Sequence, residues 1–104
     1  MSNFDLARNP NAHPDLLAFL SQDKDRLVRW RVAWNPNTPP DVLANLSGDA
    51  NADVRWEVAG NPNTPPDVLA VLSYDGDVTV RVQVFRNPHT PSGLWVSKIG
   101  RVLP

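Results

Sequence analysis

The strongest constraint in this sequence is an internal repeat of 26 residues that runs without insertion or deletion. The pair Asn-Pro recurs at that interval, and the segment NPNTPPDVLANLS returns one period later as NPNTPPDVLAVLS. A fixed period of this size is typical of chains whose similar units stack, because one unit cannot bury its apolar face alone. We therefore predict a single repeat domain made of a half repeat, three full repeats and a partial repeat, at 1–8, 9–34, 35–60, 61–86 and 87–104.

The first half of each full repeat carries the signals of a short helix. In the repeat 35–60, Thr38 is followed by Pro39 and then by an apolar stripe with helical spacing. We predict that the Thr38 hydroxyl caps this helix, and that Pro39 takes the first helical position, where its missing N–H costs nothing. Thr64 and Thr90 stand at the same place in the following repeats and are given the same structural role.

The second half of each repeat contains an aspartate-rich turn and a second short helix, which the next Asn-Pro pair ends. Helices of about two to three turns are too short to be stable alone, so each must pack its apolar stripe against the next repeat. The prediction is an all-α fold, a short right-handed α-solenoid of helix pairs with half-repeat caps. The residues expected to be buried are Val28, Val32, Leu43, Leu46, Val54, Val58, Leu69, Leu72, Val80 and Val84.

An asparagine opens every repeat, at Asn9, Asn35, Asn61 and Asn87. This position is a bend between repeats, and an amide side chain can both donate and accept hydrogen bonds. We predict a structural role, in which these side chains bond the backbone of the turn and link adjacent repeats. A role in binding a ligand is the less favoured alternative.

The composition limits the classes of function. The formal net charge is −1 and there is no cysteine, so nothing draws the whole chain to nucleic acid, and disulfides and cysteine-bound metals are excluded. His13 and His89 lack ligand partners at helical spacing, and no nucleophile motif or phosphate-binding loop occurs. We predict no catalytic residue, no cofactor and no metal. Because no apolar run resembles a signal peptide or a membrane span, we expect a soluble cytoplasmic protein without a membrane partner.

The pattern NPxTPxxxLAxLSxDxDxxVRxxVA, which covers residues 9–86, resembles the leucine-rich repeat variant family, a bacterial helical repeat. The resemblance implies a right-handed superhelix without β-sheet, in which one helix of each pair can be a 3₁₀-helix. It does not extend to the iron–sulfur cluster that can accompany such repeats, because this chain has no cysteine. The second helix is also similar to that of HEAT repeats. Neither resemblance specifies a function, since solenoids are scaffolds.

The candidate binding surface lies on the second helices. Arg29, Arg55 and Arg81 form a column at the repeat interval, and Trp30 and Trp56 stand beside the first two. Each tryptophan follows two residues after a core position, so it points away from the buried stripe. Trp and Arg dominate the hot spots of protein interfaces, which favours partner binding. The structural alternative is that the arginines pair with aspartates of the neighbouring repeat and the tryptophans pack between repeats.

Two functions are consistent with this surface. The favoured one is a non-enzymatic module that binds another protein through the second-helix face and the groove of the solenoid. The alternative is a nucleic-acid-binding helical repeat whose arginine column contacts phosphates, which the net charge of −1 disfavours.

Overall fold

The helices follow the repeat of the sequence. In the computed structural model, which describes residues 1–93, each full repeat contains a helix of seven residues and then one of nine. No strand and no 3₁₀-helix occurs in this range, so the all-α prediction is confirmed and both helices of each described pair are α-helices. The helices are α1 (Asn3–Ala7), α2 (Pro14–Leu20), α3 (Arg26–Trp34), α4 (Pro40–Leu46), α5 (Ala52–Gly60), α6 (Pro66–Leu72) and α7 (Val78–Arg86).

The predicted capping of the first helix by Thr38 is wrong. Helix α4 begins at Pro40, its N-cap is Pro39, and no side chain caps it. Thr38 is buried and its Oγ1 donates to the backbone carbonyl of Val32 at 2.6 Å. The hydroxyl therefore serves the end of the preceding helix, where carbonyls lack partners, instead of the start of the next. The same bond to the end of the preceding helix is made by Thr64 and Thr90.

The second helices are capped by the aspartate-rich turns. Asp25 caps α3 by accepting from the Leu27 amide at 2.9 Å, and Asn51 caps α5 by accepting from the Asp53 amide at 2.9 Å. Asp77 caps α7 in the same way. A short polar side chain at this position satisfies an amide that the helix itself leaves without a partner.

The helices stack in two layers. Helices α1, α3, α5 and α7 contact one another in sequence, and each of α2, α4 and α6 packs against the second helices on either side of it. One apolar cluster runs through the stack from Ala7 to Val84. All ten residues that the sequence predicts as core are buried, so this prediction is confirmed. The right-handed twist of the stack stays a prediction.

The last predicted unit, 87–104, lies outside the described residues from position 94 onward. Within residues 1–93, none of the helices has the length and apolar character that a membrane span requires.

Candidate partner-binding groove

The asparagine that opens a repeat bonds to the backbone of the two units before it, at Asn35, Asn61 and Asn87. Asn61 is buried, and its side-chain amide donates to the carbonyls of Ala33 at 2.8 Å and Asn35 at 3.1 Å. Its Oδ1 accepts from the backbone amide of Asn63 at 2.9 Å. The corresponding bonds are made by Asn35, to the carbonyls of Ala7 and Asn9, and by Asn87, to those of Ala59 and Asn61. Every hydrogen-bonding atom of the Asn61 amide group is thus directed at backbone, which suits a structural role.

The arginine column is held by the aspartate-rich turns. Nε of Arg29 donates to Oδ2 of Asp49 in the next repeat at 2.7 Å, and Nη1 donates to the carbonyl of Asp23 in its own turn at 2.7 Å. Arg55 makes the same two bonds one repeat later, to Asp75 at 2.8 Å and to the carbonyl of Asp49 at 2.7 Å. The hydrogen bond to Asp75 raises the pKa of Arg55. Both arginine side chains are partly exposed, but their nitrogens already connect neighbouring turns.

At the two ends of the described stack, the asparagine column and the arginine column lack some of these partners. Asn3 stands 26 residues before the first arginine, and its amide donates to Oδ2 of Asp23 at 2.9 Å. Asn9, which no full repeat precedes, is exposed. Arg81 donates to the carbonyl of Asp75 at 2.6 Å, and the position one repeat beyond Asp75 lies outside the described residues.

Trp30 and Trp56 lie on either side of a groove between α3 and α5. Both side chains are partly buried and pack against the core cluster, yet both also line this groove, whose volume is about 480 Å³. Packing between repeats and partial exposure are therefore combined in the same side chains. The other lining residues are Arg26, Leu27, Asn51, Asp53, Glu57 and Thr79.

Glu57 is the half-buried acid of this groove. Burial raises the pKa of Glu57 above its ordinary value of 4.5, and the charge of Arg31 and a side-chain hydrogen bond from Trp30 offset part of that rise. The charged form of a partly desolvated carboxylate is stabilised by a positive charge placed nearby. The groove thus combines apolar walls with a carboxylate that lacks full solvation.

A second, smaller groove continues the face toward α7. It has a volume of about 240 Å³ and is lined by Trp56 with Val78, Thr79, Val82 and Arg86. Trp56 is therefore shared by two grooves. Three large apolar side chains that line the two grooves are exposed by 45–58%, namely Leu27, Val78 and Val82. Exposed apolar side chains that border a groove are typical of interaction surfaces.

The comparisons with known proteins support this description of a repeat. The chain matches the Leucine Rich Repeat Variant domain over residues 28–84, more than half of its length. It belongs to the leucine-rich repeat variant family. The comparisons with curated proteins and with solved structures found no match.

As a leucine-rich repeat variant domain, the chain is a helical repeat scaffold. Residues 1–93 contain no group of three His, Asp or Glu side chains that could hold a metal ion. The groove between α3 and α5 offers two indole rings, one aliphatic wall and both signs of charge. Such a lining can hold an extended side chain of a partner.

The sequence of this leucine-rich repeat variant domain points to the tryptophans but not to the charged groups between them. Glu57 was missed because its column does not repeat: Arg31, Glu57 and Gln83 occupy the same position in successive repeats. In a repeat protein, positions that differ between repeats do not serve the structural role that the repeats share. The variation at this position is therefore the sequence signal that points to Glu57.

Proposed function

We propose that this protein is a non-enzymatic scaffold that binds a segment of another protein in the groove between α3 and α5. The observation that carries the proposal is that Trp30 and Trp56 line an open groove while the helices that carry them are hydrogen-bonded to the turn of the next repeat. Rigid aromatic side chains offer a large contact area with little loss of conformational entropy on binding.

The apolar surface around the groove supports the same proposal. Leu27 is exposed by 47% and Val82 by 45%, on either side of Trp56 along the stack. A partner segment lying across the second helices would cover both and would remove their apolar area from water. Such burial favours a protein partner over a small polar ligand.

In this proposal the tryptophans form the centre of the contact, and Arg29, Arg55 and Arg81 border it. The bonds of Arg29 and Arg55 to Asp49 and Asp75 fix the turns that carry the second helices. These arginines contribute by holding the groove in shape, and by contacting the partner with the part of each side chain that stays exposed.

A nucleic-acid function receives less support. The guanidinium groups of Arg29 and Arg55 are each paired with a carboxylate, at 2.7 and 2.8 Å, so little of their charge is available to phosphates. Binding to a nucleic acid would weaken steeply with added salt because counterions are released, whereas binding to an apolar groove would not. A titration with an oligonucleotide at two salt concentrations distinguishes the two functions.

The proposal is tested by selecting peptide ligands from a displayed random library and measuring their affinity by calorimetry. Trp56→Ala is expected to weaken binding by about 2 kcal/mol or more, roughly thirtyfold. Phe19→Ala is the matched control, because Phe19 is 73% exposed on α2 in the other layer. Equal losses for the two variants would reject the groove as the binding site.

A second variant guards against loss of folding in Trp56→Ala. Leu27→Asp changes an exposed wall of the same groove, so we expect it to keep the helical signal and still abolish binding. If Leu27→Asp binds the selected peptides as the wild type does, the peptides occupy another surface and the proposal fails. Thermal melts of each variant accompany the binding measurements.

A further inference from the structure

One repeat before the groove, the guanidinium group of Arg31 already lies among aromatic rings. The Arg31 guanidinium carbon lies 4.5 Å from the Trp30 ring centroid, 5.3 Å from that of Phe4 and 5.2 Å from that of Trp34. At these distances the ring quadrupole attracts the cation. The Nε of Arg31 is buried without a hydrogen-bond partner among the described residues. The guanidinium group therefore has aromatic rings around it in place of water.

The groove between α3 and α5 repeats two of these three rings without the cation, because Gly60 stands where Trp34 stood. A shift by one repeat places Trp30 where Phe4 stood and Trp56 where Trp30 stood, whereas the position of Arg31 is taken by Glu57. No arginine or lysine of residues 1–93 stacks on the Trp56 ring. The first aromatic site is therefore filled by the chain itself, and its counterpart has indole walls and a carboxylate.

The charges of the groove suit a cation. Its lining contains two carboxylates, Asp53 and Glu57, and one guanidinium, that of Arg26. Glu57 is half-buried; burial disfavours its charged form and raises its pKa, and the charge of Arg31 and the hydrogen bond from Trp30 offset only part of that rise. A cation placed between the indoles would restore favourable surroundings to that carboxylate and would gain from the charge and from the ring faces together.

We infer that the groove between α3 and α5 binds an arginine side chain of a partner protein, with its guanidinium against Trp56 and directed at Glu57. This inference rests on the proposed scaffold function and names the chemistry that the groove selects. A planar guanidinium is favoured over an ammonium because it stacks on an indole and keeps in-plane donors for a carboxylate. The contact of Arg31 with Trp30 shows the same stacking inside the chain.

The test uses a blocked Gly-Arg-Gly tripeptide as probe, and the same tripeptide with citrulline as its neutral, planar control. The probe is titrated into the full chain while nuclear magnetic resonance follows the indole N–H signals, of which the four tryptophans supply one each. The Trp56 signal is assigned by its loss in Trp56→Phe. We expect saturable shifts of the Trp30 and Trp56 signals, with citrulline binding about tenfold more weakly.

Two changes at one position sharpen the test. Glu57→Gln is expected to weaken binding of the arginine probe about tenfold and to leave citrulline unaffected, because only the charge is removed. Glu57→Arg is expected to abolish binding, since its own guanidinium can occupy the groove as Arg31 does one repeat earlier. Asp67→Asn, which removes an exposed charge from α6, is the control and is expected to bind as wild type does.

Several results would overturn the inference. They are equal affinity for the arginine and citrulline probes, no shift at millimolar arginine probe, no effect of Glu57→Gln, and shifts confined to Trp34. Indole shifts that depend on protein concentration without any probe would assign the groove to a second copy of the chain. Peptides selected from the library that require Trp56 but show no arginine preference would leave the scaffold function standing and reject arginine as its target.

Discussion

At the scale of single residues, the repeated polar side chains of this protein mainly form hydrogen bonds between elements of the stack. Asn61, Thr64 and Arg55 each reach backbone or a carboxylate that belongs to another element of the stack. Buried polar groups are stabilising only when such partners are present. A column of identical polar residues therefore marks a bond that every interface between repeats requires.

The first prediction concerns the buried asparagine. Asn61→Ala removes donors to the carbonyls of Ala33 and Asn35 and the acceptor of the Asn63 amide, so these groups lose their partners. We expect the free energy of unfolding to fall by about 1–3 kcal/mol. Asn63→Ala is the control, because Asn63 is exposed and water can replace its bonds. Chemical denaturation measures both, and equal midpoints for Asn61→Ala and wild type would contradict the prediction.

The second prediction concerns the pH dependence caused by Glu57. Burial raises the pKa of Glu57 in the folded chain, so its contribution to stability is fully present below its ordinary value of 4.5 and is lost as pH rises through the folded pKa. Glu57→Gln cannot lose a proton. We therefore expect this variant to be more stable than wild type at neutral pH, with the difference shrinking as pH falls through the raised folded pKa and vanishing below about 4.5.

Melting curves of wild type and Glu57→Gln across this pH range check the second prediction. Asp67→Asn removes the same charge from an exposed position and controls for net charge. A stability difference that stays constant with pH would show that the Glu57 carboxyl titrates as it does in the unfolded chain.

At the scale of the elements, the turn before each second helix connects three parts of the structure. The carboxylate of Asp75 accepts from Arg55 in the preceding repeat at 2.8 Å and from the Asp77 amide in its own turn at 2.9 Å. Its backbone carbonyl accepts from Arg81. The position and direction of α7 thus depend on a bond made by α5.

The third prediction concerns this connection. Asp75→Asn keeps an oxygen that can accept from the Asp77 amide but loses the charge that pairs with Arg55. We expect a loss of about 1–2 kcal/mol in the free energy of unfolding, because the Asp75 side chain is only 8% exposed and a bond to a charged group is stronger. Combining it with Arg55→Gln should cost less than the sum of the two single changes. Strict additivity would show that the pair contributes no coupling energy.

At the scale of the whole molecule, stability comes from interfaces between neighbouring repeats. The described part of the chain is elongated, 54 × 22 × 16 Å, and the longer helices contact one another in sequence order. In such an array the stability is approximately the sum of repeat and nearest-neighbour terms. The length of the chain can therefore change in whole repeats without changing the fold.

The fourth prediction follows from that additivity. Deletion of residues 35–60 joins Trp34 to Asn61 and leaves every interface in register, since the missing segment is one period of 26 residues. We expect a helical protein that unfolds at a lower denaturant concentration, because one repeat and one interface are gone. Circular dichroism during denaturation measures this change.

The control deletion removes residues 35–47, half of one period, and places second helices where first helices should stand. We expect this variant to lose its cooperative unfolding transition. If both deletions unfold alike, register between repeats is not what stabilises the stack.

The sequence by itself determined the period, the helix pairs and the buried stripe. These features rest on short-range signals, namely helical spacing, proline and turn residues, and they were read correctly at all ten predicted core positions. The helix start at Pro40 was missed by one residue because Thr38 has a hydroxyl that can donate as well as accept, and local spacing does not show which it does.

Tertiary structure alone decided the partners of the polar side chains and the contents of the groove. Asn61 bonds a carbonyl 28 residues away and Arg55 a carboxylate 20 residues away, and such distances depend on how the helices stack. The sequence shows Arg31 and Glu57 at equivalent positions, but only the packing shows that one guanidinium lies among aromatic rings while Glu57 borders an open groove. The physical reason is that periodicity repeats the backbone, whereas each side chain meets the particular residues of its own neighbours.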